Sequence, residues 1–91
     1  MPTMNVTAKR VTGTGAVGIG RSRLAQVLVT TTNGTLARIT ITDGQGGATK
    51  FDADYNSDTH VTNIPGDGIL FDKDPYIVTA SNVTAMTLFF M

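Results

Sequence analysis

The chain has 91 residues, seven of them Lys or Arg and seven Asp, so its formal net charge is zero. It has no Glu, Cys or Trp and is rich in Thr, with 16 residues. This length fits a single domain. The absence of cysteine excludes disulfides and thiolate metal sites, and the balanced charge argues against nucleic acid as a partner. The longest apolar run, 88–91, is far too short for a membrane helix.

This composition favours strands over helices along most of the chain. Thr and Val have stiff side chains that fit a pleated sheet. Glu, a good helix former, is absent, and every acidic residue is an Asp, which prefers turns and caps. We therefore expect an all-β protein with a thin core, since a chain of this size buries only roughly 60–70% of its unfolded surface.

The first predicted strand runs from Thr3 to Val11, and a glycine-rich segment follows it from Thr12 to Gly20. Within that segment, Gly13–Gly18 matches the letters of the dinucleotide-binding fingerprint. The fingerprint works only where a helix follows, and the residues after Gly18 show no helical period. We therefore predict that Thr12–Gly20 is a connecting loop. We also predict that residues 1–20, the first strand with this loop, contact a partner.

A β-hairpin is predicted around Asn33-Gly34, a pair suited to a type I′ turn, with strands Arg21–Thr32 and Thr35–Asp43. In the first strand, alternation places Ala25, Val27 and Val29 on the face opposite Leu24 and Leu28. In the second strand, the buried face holds Ala37, Ile39 and Ile41.

The same hairpin would bring three arginines onto one face of the sheet, namely Arg21, Arg23 and Arg38. Such a group can bind an acidic partner or a phosphate. The alternative is a solvated polar face, which the Thr residues alongside also favour.

Ala48–Tyr55 alternates as a half-buried strand whose polar face carries Asp52 and Asp54. With Asp58, these carboxylates suggest a loose calcium site, although the chain lacks the Gly and Glu positions of a helix–loop–helix calcium loop. Alternatively, the charges protect an edge strand from pairing with other chains. We predict no metal or other cofactor.

His60 is the only histidine, and it lies close to Ser57 and Asp58 in the sequence. Neighbouring residues on one turn seldom reach the geometry of a catalytic triad. We therefore predict a surface histidine, no catalytic residue and no enzymatic activity.

The remaining segments are short. One strand ends at Ile64-Pro65-Gly66, since proline cannot donate a ladder hydrogen bond. Gly68–Asp72 and Tyr76–Ala80 form either two strands or one bent strand, and the last strand covers Val83–Met91.

That last strand is apolar on both faces. One face holds Val83, Ala85 and Phe89, and the other holds Met86, Leu88 and Phe90. Either its outer face is an interface, for example between copies of the chain, or both faces lie in the core of a closed barrel. With about seven short strands in all, the predicted fold is a small antiparallel β-sandwich or a jelly-roll-like barrel.

Two parts of the chain resemble the small β-sandwich virion structural proteins of tailed bacteriophages. The first is Gly20–Leu24 with the Val- and Thr-rich segment that ends at Ile41-Thr42-Asp43-Gly44. The second is Ile64–Phe71, followed by Tyr76–Val78 and the aromatic end Met86–Phe90. The chain departs from that pattern at Asp74-Pro75, where a glycine turn is more usual.

The resemblance implies a capsid decoration or cement protein, or a head-fibre or tail module, located on the virion after assembly in the host cytoplasm. Its partner would be the major capsid protein or another virion protein, and we expect a homotrimer that binds neither nucleic acid nor membrane. The candidate interface residues are Val83, Ala85, Met86, Leu88, Phe89, Phe90, Arg21, Arg23 and Arg38.

The alternative is a carbohydrate- or receptor-binding module, or an adaptor module, of a phage fibre or tail. In that case Tyr55 and Tyr76 would stack on a sugar, and Asp52 and Asp54 would bind its hydroxyl groups.

Overall fold

A computed structural model describes residues 6–31, 36–56 and 59–91, and within these ranges the chain is all-β without a helix. The strands are β1 (Thr7–Val11), β2 (Gly15–Ala16), β3 (Ser22–Thr31), β4 (Ala37–Asp43), β5 (Thr49–Tyr55), β6 (Thr59–Asn63), β7 (Ile69–Phe71), β8 (Pro75–Ser81) and β9 (Val83–Phe90). The predicted β-sandwich is confirmed, with nine described strands in place of about seven.

The strands form two antiparallel sheets. Sheet A has the order β1-β9-β3-β6, and β7 also pairs with β3 beyond the end of β6. Sheet B has the order β2-β8-β4-β5. β2 lies inside the segment predicted to be entirely loop, and β7 and β8 are two separate strands in different sheets. Because the described strands divide into two separate sheets, the last strand does not lie in a closed barrel.

A single layer of apolar side chains fills the space between the sheets. Sheet A contributes Leu24, Val27, Val29, Phe71, Met86, Leu88 and Phe90, and sheet B contributes Ala37, Ile39, Ile41, Tyr55 and Ile77. All of them are buried. Burying an aliphatic or aromatic side chain contributes about 1.5–3 kcal/mol, so this layer is what holds the two sheets together.

The predicted hairpin is wrong. Its turn, Asn33-Gly34, lies outside the described residues, but β3 belongs to sheet A and β4 to sheet B, and the two do not pair. Both strands are central and each has partners on both sides. Packing of two apolar faces against each other therefore overrides a local turn signal that favours direct pairing.

A β-bulge at Ala25 explains why the faces of β3 differ from the prediction. Leu24 pairs with Phe90 while Gln26 pairs with Phe89, so one residue of β3 is unmatched in the ladder with β9. An extra residue shifts the alternation by one position. Leu24 consequently joins Val27 on the buried face, and Leu28 points to the outer face.

The bulge also marks the point where the edge of sheet A is interrupted. β6 and β7 both pair with β3, and between them residues 64–68 leave the sheet as a loop. Ile64 N–H donates to the carbonyl of Ala25 at 2.9 Å, which fixes the start of the loop. The chain returns at Gly68, whose φ is +81°.

Gly68 is required both by its conformation and by its surroundings. A Cβ atom there would lie 2.5 Å from the carbonyl oxygen of Leu24. Gly66 also has a positive φ, of +68°, but a Cβ atom at that position would meet nothing within 4 Å. Substitutions at the two glycines therefore distinguish the energetic cost of backbone strain, present at both, from the cost of a steric clash, present only at Gly68.

We expect Gly66→Ala to lower the free energy of unfolding by about 1–2 kcal/mol, the cost of a left-handed conformation for an L residue. Gly68→Ala should cost clearly more, because the clash with Leu24 adds to the same strain. Urea denaturation of the two variants and the parent measures the difference. Equal losses would contradict the close approach of the loop to β3.

Candidate functional site

The outer face of sheet A carries an apolar surface that crosses the sheet. Ladder partners place Ala8, Phe89, Leu28 and Val61 on this face, one from each of four adjacent strands. Phe89 and Leu28 are half-buried, and Val61 is 56% exposed. We call these four residues the apolar strip.

Sheet B presents a different outer face. Its central strands expose Val78 together with threonine, serine and arginine side chains, and Arg38 binds Asp52 through two hydrogen bonds of 3.1 and 2.9 Å. Thr40 donates a third hydrogen bond to Asp52 at 3.1 Å. The two outer faces thus differ: sheet A carries apolar residues on four adjacent strands, and sheet B carries a hydrogen-bonded cluster of Arg38, Thr40 and Asp52.

The last strand contributes less to the surface than its sequence indicates. Met86, Leu88 and Phe90 lie in the core and are at most 1% exposed, so their side chains are not accessible to a partner in this fold. Val83 packs against the core, because the ladder between β3 and β9 has a second irregularity beside it. Of the six apolar candidates, Phe89 and Ala85 face outward, and Ala85 is only 8% exposed.

The three candidate arginines do not come together. Arg21 and Arg23 lie at the end of sheet A, where they line a shallow cleft of about 290 Å³ with Ser22, Leu70 and Met91. Arg38 lies on the outer face of sheet B. Their predicted shared face depended on the hairpin, and it is wrong for the same reason.

The glycine-rich loop is bound to a carboxylate of the same chain. Asp74 accepts hydrogen bonds from the N–H groups of Gly18, Ile19 and Gly20 at 3.0, 2.7 and 2.7 Å. Consecutive N–H groups that converge in this way form an anion-binding nest. The loop is therefore a connection held against sheet B, and the N–H groups of Gly18, Ile19 and Gly20 are already bound by Asp74.

A second carboxylate holds the turn that carries Asp74. Asp43, at the end of β4, accepts hydrogen bonds from the N–H groups of Asp72 and Lys73 at 3.2 and 2.9 Å. Gly44 N–H donates to the carbonyl of Asp74 at 2.7 Å. Asp43 thus fixes the 72–74 turn. Asp74 of that turn then holds the glycine-rich loop. Asp74, at the position where the resemblance leads one to expect glycine, has this definite structural role.

Tyr55 links the two sheets inside the sandwich. It is 7% exposed, its hydroxyl group lies 2.9 Å from that of Thr62, and its ring centroid lies 5.3 Å from that of His60. Tyr55 is therefore not available to stack on a sugar, contrary to the alternative prediction.

The predicted polar clusters are only partly described. Ser57 and Asp58 lie outside the described residues, so neither the proximity of Ser57 and Asp58 to His60 nor a calcium site that includes Asp58 is tested. Within the described ranges, no three His, Cys, Asp or Glu side chains are grouped to hold a metal ion. Asp52 and Asp54 both lie on the outer face of β5, an edge strand.

The edges of the two sheets differ in charge. β1 carries Lys9 and Arg10, β5 carries Lys50, Asp52 and Asp54, and β2 has only two residues. Charged side chains and short length both discourage pairing with another strand. β6, with the sequence Thr-His-Val-Thr-Asn, has neither Lys, Arg, Asp nor Glu. Sequence alternation alone could not identify this edge, because strand order depends on which sheet each strand joins.

We expect Asp74→Ala to lower the free energy of unfolding by about 1.5–3 kcal/mol, since hydrogen bonds to a charged group have this order of magnitude. Exposed Asp67, changed to Ala, is the matched control and should have a much smaller effect. Hydrogen exchange of the Gly18, Ile19 and Gly20 amides should accelerate in the Asp74 variant. Unchanged exchange at all three amides would contradict the nest.

Acid should weaken the fold through Asp43 and Asp52. Backbone N–H donation, chiefly from Lys73, holds the pKa of Asp43 below its ordinary value of 3.8, and Arg38 does the same to the pKa of Asp52. A pKa lowered by folding contributes stability above pH 3.8 that is lost as pH falls through the folded value. Asp43→Asn and Asp52→Asn should each flatten the fall in urea midpoint below pH 3.8. A fall as steep as that of the parent would contradict these contacts.

Comparison with protein-family models, curated proteins and solved structures finds no match to this chain. No helix in the described residues has the length and apolar character needed to cross a membrane. What the protein can do must therefore be inferred from its own surfaces, which are the apolar strip, the polar face of sheet B and the uncharged edge at β6.

Proposed function

We propose that the protein is a structural component of a phage virion, of the capsid decoration or cement type. It would bind the assembled shell through the outer face of sheet A. The observation that carries this proposal is the apolar strip, which has one member on each of four adjacent strands of that sheet, whereas Arg38, Thr40 and Asp52 form a hydrogen-bonded polar cluster on the outer face of sheet B.

A sheet face of this kind is suited to contact with another protein. Exposed apolar groups on neighbouring strands that are bordered by polar groups are typical of interaction sites; here Ala8 pairs with Phe89 and Leu28 with Val61, and the two pairs are diagonal neighbours. Here the border is polar: Gln26 donates to Asn63 at 2.6 Å on one side of the strip, and Thr30 and Thr59 lie on the other. The surface therefore has the composition of an interface, with an apolar centre and a polar rim.

The glycine-rich loop is a second candidate contact in the proposed function. Asp74 holds Gly18, Ile19 and Gly20, and β2 pairs with β8, so residues 15–20 are fixed beside sheet B. A preorganised surface loses less conformational entropy on binding. A protein that binds the assembled shell but not its separate subunits stabilises the shell by mass action.

The sugar-binding alternative is weakened because Tyr55 is buried between the sheets. The capsid partner and the virion location are parts of the proposal, whereas the homotrimer is only an expectation from the resemblance.

Phe89→Thr tests the proposed surface, because threonine suits a strand but removes the largest side chain of the apolar strip. Val78→Thr is the matched control, since Val78 is a 46% exposed apolar residue of sheet B. We expect co-sedimentation with purified shells that lack the protein to weaken at least about tenfold for Phe89→Thr, which corresponds to about 1.4 kcal/mol.

Val78→Thr should bind like the parent, and both variants should retain cooperative unfolding. The proposal would be rejected if the parent protein neither bound these shells nor was found by mass spectrometry in purified particles.

A further inference from the structure

The uncharged edge of sheet A has a defined set of outward-facing backbone groups. Ile64 N–H points toward β3, where it donates to Ala25. Backbone direction alternates along a strand, so His60 and Thr62 also direct their N–H and C=O groups toward β3. Thr59, Val61 and Asn63 direct theirs away from the sheet. β6 is the last strand on this side, so these groups face outward among the described residues.

This edge is complementary to itself. In an antiparallel pair related by a two-fold axis, a residue on the axis lies opposite its own copy. With Val61 on the axis, Thr59 lies opposite Asn63 of the other copy, so each outward-facing residue meets another. Each of these three residues supplies one N–H and one C=O, so about six hydrogen bonds can form across the axis and satisfy every outward-facing group of β6.

Side chains favour the same register. Val61 is 56% exposed and lies beside Leu28 on the outer face. Pairing at Val61 makes the apolar strips of two copies continuous, with the two Val61 side chains as cross-strand neighbours. It also brings no Lys, Arg, Asp or Glu of one β6 against another, whereas β1 would oppose its own Lys9 and Arg10.

We propose that two copies of this chain associate through antiparallel pairing of β6, centred on Val61, to form one sheet that continues across both molecules. The resulting assembly is a two-fold dimer, in contrast to the trimer expected from the resemblance. This pairing is a property of the isolated protein and does not depend on the proposed virion function.

Cysteine cross-linking tests the register directly, because the chain has no cysteine of its own. The Cα atoms of a hydrogen-bonded antiparallel pair lie about 5.5 Å apart, within the range that a disulfide can bridge. Val61→Cys should therefore form a covalent dimer under mild oxidation. In the control, Thr59→Cys, the two thiols would be about four residues out of register, or about 14 Å apart, and should cross-link at least about tenfold more slowly.

Association without cross-linking is tested by sedimentation equilibrium over a range of protein concentrations. The parent should shift from monomer to dimer as concentration rises. Val61→Lys should raise the concentration for half-dimerisation at least about tenfold, because two like charges would meet on the axis. Val78→Lys, on sheet B, should leave that concentration unchanged.

Val61→Pro distinguishes backbone pairing from a side-chain contact. It removes an N–H that faces away from β3, so the fold should be retained, as proline is tolerated where an edge N–H faces solvent. Dimerisation should nevertheless be lost, and circular dichroism would verify that the monomer stays folded.

If the parent protein remains monomeric at every concentration, the proposal is overturned. This holds even if a strand of another protein is then found to pair with the β6 edge. Dimers unaffected by Val61→Lys and Val61→Pro would also overturn it, since association would then occur elsewhere. Equal rates of cross-linking for Thr59→Cys and Val61→Cys would reject the register.

Discussion

The β-bulge at Ala25 is the constraint on which the arrangement of sheet A depends. One unmatched residue places Leu24 in the core and Leu28 on the outer face. The carbonyl of Ala25 then receives the N–H of Ile64, and at this point the edge divides into β6 and β7. Bulges are common where a strand changes the direction of its side chains or where pairing ends. Here the bulge against β9 reverses the side-chain alternation of β3, and it coincides with the point where pairing with β6 ends on the other side.

The surfaces follow from that arrangement. Because Leu28 is turned outward, it joins Phe89 and Val61 to make the apolar strip, and because the edge divides, β6 is a short strand without formal charge. Sheet B has a different arrangement. Arg38 and Asp52 form an ion pair on its outer face, and the carboxylates of Asp43 and Asp74 accept backbone hydrogen bonds from its loops. We therefore propose that association uses sheet A, whereas the polar contacts of sheet B chiefly support the fold.

The all-β class and the alternation of β4 and β5 could be predicted from the sequence, because both strands have a regular apolar period; β9 is apolar on both faces, so its buried face could not be predicted. The pattern of β4 identifies Ile39 and Ile41 as buried side chains, whereas Leu88, expected at an interface, lies in the core. The pairing of strands could not be predicted. Asn33-Gly34 indicates a tight turn, but the choice between pairing and crossing to the other sheet depends on the packing of the whole core.

The bulge and the edge were also beyond sequence reasoning, for a related reason. The residues around Ala25 contain no signal for an unmatched residue, since the formation of a bulge depends on how the neighbouring strand pairs.

Hydrogen exchange of the β6 amides, measured at low and high protein concentration, tests the proposed pairing of β6 most directly. We predict that the Thr62 and Ile64 amides are protected at both concentrations, whereas the Val61 amide exchanges rapidly when dilute and becomes protected when concentrated. Rapid exchange of Val61 at every concentration, or protection of Val61 with free exchange at Thr62, would contradict it.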